Sequence, residues 1–265
     1  MQSGAIRPLS NMLPRQLFNS DHEAFRETVR KFYEKEVVPN IAKYEQQQHV
    51  DRDLWNKAGE LGLLCATMPE EYGGYGVDRL YSMILIEEQA YAMDSSTGFS
   101  LHSDIVANYI NNFGNEAQKK HWLPKMASGE TVTAIAMTEP GTGSDLQGVR
   151  TTAVLDGDEY VINGSKIFIT NGYLCDMAIV VCKTGNSDKG SANLSLIIVE
   201  ADRAGFTKGK PLNKIGMKGQ DTCELFFEDV RVPKKNLLGM EGMGFIMLMK
   251  ELAWERMLVA IICQA

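Results

Sequence analysis

No stretch of this 265-residue sequence reaches the roughly 18 consecutive apolar residues that a membrane-crossing helix requires. Histidine is scarce: His22, His49, His102 and His121 lie far apart, without the spacing of a metal site or a catalytic triad. The five cysteines, Cys65, Cys175, Cys182, Cys223 and Cys263, are odd in number, scattered and never paired as C-x-x-C. That pattern excludes a disulfide framework and a zinc site, and describes free thiols in a reducing compartment. Basic runs are missing too. With 27 Lys and Arg against 34 Asp and Glu, the formal net charge of -7 leaves no electrostatic footprint for nucleic acid. There is no G-K-[ST] phosphate loop, and the G-x-G at Gly141 and Gly143 meets Leu146 where a dinucleotide fingerprint needs glycine.

A hydrophobic content of 44% is enough for a sizeable core. Residues 1–18 contain Arg7 and Arg15 and no acidic side chain, a composition shared by a transit-like segment and a plain tail. Residues 19–130 read as helical. An S-x-x-E capping box at Ser20 to Glu23 precedes Phe25, Val29 and Phe32 at helical spacing, and Pro39 is expected to close that helix. A second helix starts near Asp51 and carries Leu54, Trp55, Ala58 and Leu61; a Gly-rich loop follows at 69–78, and helical patterns return at 79–94, 100–113 and 116–127.

From 131 to 233 the period shortens to that of strands: "TVTAIAMT", "RTTAVLDGDEYVI", "DMAIVVCK", "NLSLIIVE" and "ELFFEDVRV" are β-rich runs separated by turn residues, with "LDGDEY" a hairpin signal. "NGSKIFITNG", 163–172, reads as a strand between two Asn-Gly turns. Segment 241–265 holds one helix from about Phe245. The fold expected is α+β and multidomain: an all-α N-terminal domain, a β-barrel-like middle domain, and the start of a C-terminal helical bundle. The last helix is apolar nearly all round and has no Gly or Pro stop, so the chain reads as truncated at its C-terminus or completed by another chain.

Within that helix a carboxylate stands where a core residue belongs. At 100° per residue, Leu248, Leu252, Val259 and Ile262 fall within about 60° of Glu255, while Met249, Ala253, Met257, Ala260 and Ile261 lie opposite. A carboxylate buried there costs several kcal/mol unless it is paired or neutralised. Either it has an ion-pair partner, for which Arg256 is poorly placed about 100° away, or it is a base made stronger by desolvation.

The segments "AIAMTEPGTGSDLQG", "GSKIFITNG", "GQDTCELFFEDVRVP" and "GFIMLMKELAWER" together resemble the acyl-CoA dehydrogenase family, in order and almost without gaps from Phe18 to Ala260. The resemblance implies FAD as cofactor, a long-chain acyl-CoA thioester as substrate, and α,β-dehydrogenation to the trans-2-enoyl-CoA in fatty-acid β-oxidation. It also implies electron-transferring flavoprotein as electron acceptor, a homo-oligomer, tetrameric in the family, and the mitochondrial matrix as location. Matched to the family's motifs, Ile135, Ala136, Met137, Thr138, Glu139, Pro140, Gly141, Thr142, Gly143 and Ser144 would line the flavin, as would Phe168, Ile169 and Thr170.

Ser144 would also touch the acyl-CoA, and Ser191 and Ala192 fall near a CoA-contact position. Glu255 matches the base in those branches of the family that carry it on this helix. Arg256 belongs to the same motif, and Ile246, Ala253 and Trp254 would bear on the fit of the acyl chain. No metal is implied. The alternative is a truncated, non-catalytic relative that binds flavin or acyl-CoA weakly or serves as an interaction module.

Overall fold

The computed structural model describes residues 16–185 and 193–265. Helix α1 (Ser20–Phe32) is capped by Asn19 and not by Ser20. The Asn19 side-chain oxygen accepts from the N–H groups of Asp21 and His22, and His22 Nδ1 accepts from the Asn19 N–H in return. Pro39 does not end this helix. The chain passes through a π turn (Tyr33–Val37) and a 3₁₀ turn (Val38–Asn40) into α2 (Ile41–Gln47). Proline is tolerated near the start of such a turn, because its missing N–H would have no partner there. Gln48, in the left-handed region at φ 65°, supplies the stop instead.

Helices α3 (Arg52–Glu60), α4 (Leu80–Tyr91), α5 (Ala107–Phe113) and α6 (Glu116–Ala127) follow, with a π turn at Leu101–Val106 leading into α5. Trp55, Phe99, Val29, Phe32 and Ile84 form the centre of this helical layer. The π turn carries three polar side chains inward, His102, Ser103 and Asp104; Asp104 accepts from the Ser82 hydroxyl of α4, while its second carboxylate oxygen has no hydrogen-bond partner among the described residues.

The strands are β1 (Thr133–Ala136), β2 (Thr152–Asp156), β3 (Glu159–Thr170), β4 (Met177–Lys183), β5 (Leu194–Glu200), β6 (Phe206–Lys208), β7 (Thr222–Pro233) and β8 (Leu237–Leu238). They form one eight-stranded sheet in the order β6-β7-β3-β2-β4-β5-β8, with β1 pairing in parallel to β4. Only β6 and β8 lack a counterpart in the sequence pattern, being three and two residues long.

Both faces of the central strands are covered, which explains the unbroken apolar run "MAIVVC". Met177, Ile179 and Val181 pack toward Tyr109, Trp122 and Leu123 of the helices, whereas Ala178, Val180 and Cys182 meet Tyr160, Ile162, Leu225 and Val232 of the other strands. The first Asn-Gly of "NGSKIFITNG" is not a turn. It lies inside β3 as a bulge, with a register shift against β7 between Ile162 and Gly164.

Helix α7 (Gly244–Gln264) packs across α4, α5 and β5. Its buried stripe is Met247, Leu248, Glu251, Leu258 and Ile261, centred on Glu251 and Leu258. Glu255 therefore stands at the rim of that stripe, about 60° from its centre at 100° per residue. Val259, expected beside Glu255 as a core residue, is 61% exposed, and Ile261, expected opposite, is buried against Ile86 and Leu258. An all-apolar helix gives no contrast from which to read the facing side, and only the partners α4 and α5 settle it.

Candidate active site

Strand β1 ends at Ala136, and the chain then turns sharply: Glu139 and Thr142 exchange backbone hydrogen bonds of 2.9 and 3.0 Å. This turn is tied to β3 at three points. The Ile167 N–H donates to Thr138 O at 2.9 Å, and Lys166 Nζ donates to Met137 O at 3.1 Å and to Glu139 Oε1 at 2.9 Å. The two motif segments, 135–144 and 166–170, are thereby brought together where the chain leaves β1.

The charges inside this junction are matched. Lys166 is fully buried, and the Glu139 carboxylate also accepts from the N–H groups of Arg150 and Thr151. Burial alone would raise Glu139, but the donors Thr151, Lys166 and Arg150 outweigh it and hold the carboxyl below its ordinary value. Burial pushes Lys166 down, against the pull of the Glu139 carboxylate. Removing either partner would strand a buried charge.

The expected flavin-lining residues divide accordingly. The side chains of Ala136 and Ile169 point into the core between strands, so only their backbone can meet a ligand. The Glu139 carboxylate is taken up by Lys166, and Thr142 is buried, its hydroxyl 3.0 Å from where a Cβ on Gly148 would stand. Ile135 and Met137 face the helices, in the cluster that holds Leu101, Ile105 and Tyr109. Thr138 and Thr170 are half-buried.

Pro140, Gly141, Gly143 and Ser144 are exposed, and a Cβ built on Gly141 or Gly143 would meet nothing within 4 Å. Phe168 is 63% exposed and held at φ 60°, a conformation that is a genuine outlier for a bulky residue and marks a strained, solvent-facing ring. Ser191 and Ala192 lie outside the described residues.

Glu255 of α7 is half-buried, and its Oε1 accepts from the Tyr109 hydroxyl of α5 at 2.8 Å. Burial and the charge of Glu251 raise its pKa, while the Tyr109 hydrogen bond opposes them. Its partner is thus Tyr109; among the described residues neither Arg256, which is exposed, nor another cation pairs with it. Ala253 and Ile246 are exposed as well, and Trp254 is half-buried beneath the Arg79 guanidinium, 4.3 Å from the ring centre.

Sequence reasoning missed Tyr109, Lys166 and Glu251. Glu251 was within reach of it, since at 100° per residue it falls about 40° from Glu255. Asn171, whose amide donates to Gly98 O and Thr133 O, was missed also. Among the described residues, no group of His, Cys, Asp and Glu could hold a metal ion.

A helical layer followed by an eight-stranded sheet, with a Gly-rich turn tied to β3 and a raised carboxylate on α7 held by Tyr109 of the helical layer, defines a two-layer α+β protein. Residues 19–130 match the acyl-CoA dehydrogenase N-terminal domain and residues 134–230 the acyl-CoA dehydrogenase middle domain; the chain belongs to the acyl-CoA dehydrogenase family.

It is similar to the mitochondrial long-chain specific acyl-CoA dehydrogenase of Sus scrofa, with 51% identity over 261 residues, 98% of this chain and 61% of that relative. The crystal structure of an acyl-CoA dehydrogenase from Geobacillus kaustophilus superposes with a TM-score of 0.91 at 48% identity, over 93% of this chain and 65% of the other. An acyl-CoA dehydrogenase complexed with FAD from Bacillus anthracis superposes with a TM-score of 0.84 at 40% identity, over 92% and 42%. The chain spans about three fifths of the length of the Sus scrofa relative.

Proposed function

We propose that this chain carries the flavin edge and the catalytic base of an FAD-dependent acyl-CoA dehydrogenase acting on long-chain acyl-CoA. The observation that carries the reading is Glu255: a carboxylate without an ion pair among the described residues, raised by burial and steered by Tyr109, whose ring belongs to the same apolar cluster as Ile135 and Met137. FAD is supported by the Bacillus anthracis structure, and chain length by the Sus scrofa relative. Electron-transferring flavoprotein as acceptor, a homo-oligomeric assembly and a place in the mitochondrial matrix belong to the same reading.

The residues present fit the cofactor. Gly141 and Gly143 leave open space over their α carbons, Ser144 offers an exposed hydroxyl, Met137 an apolar wall, and Phe168 an exposed ring held out by its backbone. Bound FAD would supply a hydride acceptor for the substrate's β hydrogen. Glu255 takes the α proton: with Oε1 engaged by Tyr109, the second carboxylate oxygen is left to receive it. A raised pKa makes that oxygen a stronger base than a solvated glutamate, and the fixed helix supplies orientation.

The second reading is a non-catalytic relative that binds flavin or acyl-CoA weakly. It is favoured by Val259, about 40° from Glu255 on the helix and exposed, which lets water reach one side of the carboxylate. Anaerobic addition of a long-chain acyl-CoA to the FAD-loaded chain decides between them. Bleaching of the flavin band that disappears in Glu255→Gln supports the base. Bleaching that survives the substitution overturns it, and a bound flavin that is never reduced favours the second reading.

A further inference from the structure

Helices α5 and α7 face each other through two rungs. Tyr109 and Asn112 lie one turn apart on α5, Glu251 and Glu255 one turn apart on α7. The Tyr109 hydroxyl donates to Glu255 Oε1 at 2.8 Å, and Asn112 Nδ2 donates to Glu251 Oε1, also at 2.8 Å. Glu251 is only 7% exposed and Tyr109 is fully buried. Among the described residues neither carboxylate forms an ion pair, so two acidic groups share one helical turn with neutral donors as their only partners. A fold needing only stability would not keep this arrangement, since like charges four residues apart oppose each other and an apolar pair would pack there at no such cost.

We propose that Tyr109 and Glu251, the latter held by Asn112, are positioning residues for Glu255: Tyr109 selects which oxygen of the carboxylate is free, and the negative charge of Glu251 makes proton uptake at that oxygen more favourable. This rests on the reading of Glu255 as the base. Tyr109 acts only as a donor. Burial, then the charge and hydrogen bond of Glu255, push its phenol far above the ordinary value, so it stays protonated at any working pH. The titratable groups that bear on Glu255 are Tyr109 from α5 and Glu251 from α7 itself. Arg79, the residue that precedes α4, stacks on Trp254 instead.

The two influences have opposite signs, which gives the test. Carboxyl resonances of the chain labelled with ¹³C-glutamate are followed against pH, with Glu255 assigned by its loss in Glu255→Gln; no flavin is needed. Glu251→Gln moves the Glu255 midpoint to lower pH, Glu251→Asp restores most of the upward displacement, and Tyr109→Phe moves the midpoint to higher pH. Simple loosening of the helix pair would expose Glu255 to water and lower the midpoint in every variant.

A midpoint unmoved by Glu251→Gln, no recovery in Glu251→Asp, or a lowered midpoint in Tyr109→Phe would each overturn the proposal. In the FAD-loaded chain, Tyr109→Phe slows flavin bleaching roughly tenfold at saturating acyl-CoA without weakening acyl-CoA binding; an unchanged rate overturns the orienting role. The predicted midpoint shifts together with bleaching that persists in Glu255→Gln would support the coupling and remove only the base reading.

Discussion

Asp104 bears a cost at neutral pH that its position makes measurable. Burial raises its pKa from the ordinary 3.8 to about 7, against the Ser82 hydrogen bond and the charge of Arg79. In the unfolded chain it ionises near its ordinary value. Between pH 4 and 7 the folded state therefore holds a proton that the unfolded state has lost, and stability falls as pH rises through that window, by roughly 4 kcal/mol at most from this group. Above pH 7 both states are ionised and the contribution is flat. Asp104→Asn removes the slope. Urea unfolding at pH 4, 5.5 and 7 should show a decline in the parent chain and a much shallower one in the variant; parallel profiles would refute the assignment.

Single residues were legible unevenly. Glu255 stood out because a carboxylate in an apolar helix breaks the pattern around it. Tyr109 did not, since a buried tyrosine looks like any other core aromatic and its partner is 146 residues away. Glu139 was expected at a ligand and is instead paired with Lys166, a pairing that only the crossing of β3 over the 139–142 turn creates.

Among elements, β3 depends on one glycine. Gly164 adopts φ 149°, and a Cβ there would lie 2.5 Å from Thr151 Oγ1 and 2.7 Å from Thr151 Cα. Thr151 is also a backbone donor to Glu139, so a shift at the bulge reaches the turn at the site. Gly164→Ala should cost about 2 kcal/mol or more. Chemical denaturation reads the loss, and a variant as stable as the parent would mean the bulge relaxes freely.

Element type followed from the sequence wherever one composition persisted over many residues, helix formers in α4 and α6 and β-branched apolar runs in β4 and β5. It failed where two devices compete for one signal. Asn-Gly marks either a turn or a bulge, and Pro39 marks either a helix end or the start of a 3₁₀ turn. Asn19 and Ser20 are both competent caps, and His22 as reciprocal acceptor favours the first.

For the whole molecule, the helical layer and the sheet share one core, in which Tyr109, Trp122 and Leu123 meet Ile179, Val181 and Leu196. A ligand seated at their junction should stabilise both layers together. On the flavin reading, free FAD at 100 times its dissociation constant adds about 2.7 kcal/mol. Calorimetry should then show one unfolding transition moving upward with FAD concentration, and a melting temperature indifferent to millimolar FAD would count against the flavin edge. The order of layers was legible from the change of period near Thr131, whereas their contact was not, because each face of β4 reads as equally apolar.

Cys65, Cys175, Cys182 and Cys223 are buried, and burial pushes the thiols of Cys175, Cys182 and Cys223 up to about 12, leaving them almost no thiolate at neutral pH. Cys263 alone is exposed, on the last turn of α7, two residues from Ile261 in its contact with Ile86. These 265 residues thus come with a single accessible attachment point for a maleimide fluorophore or spin label. A reporter placed there watches the 258–264 stretch of the helix that carries Glu255 come loose or settle against α4, with no cysteine added or removed.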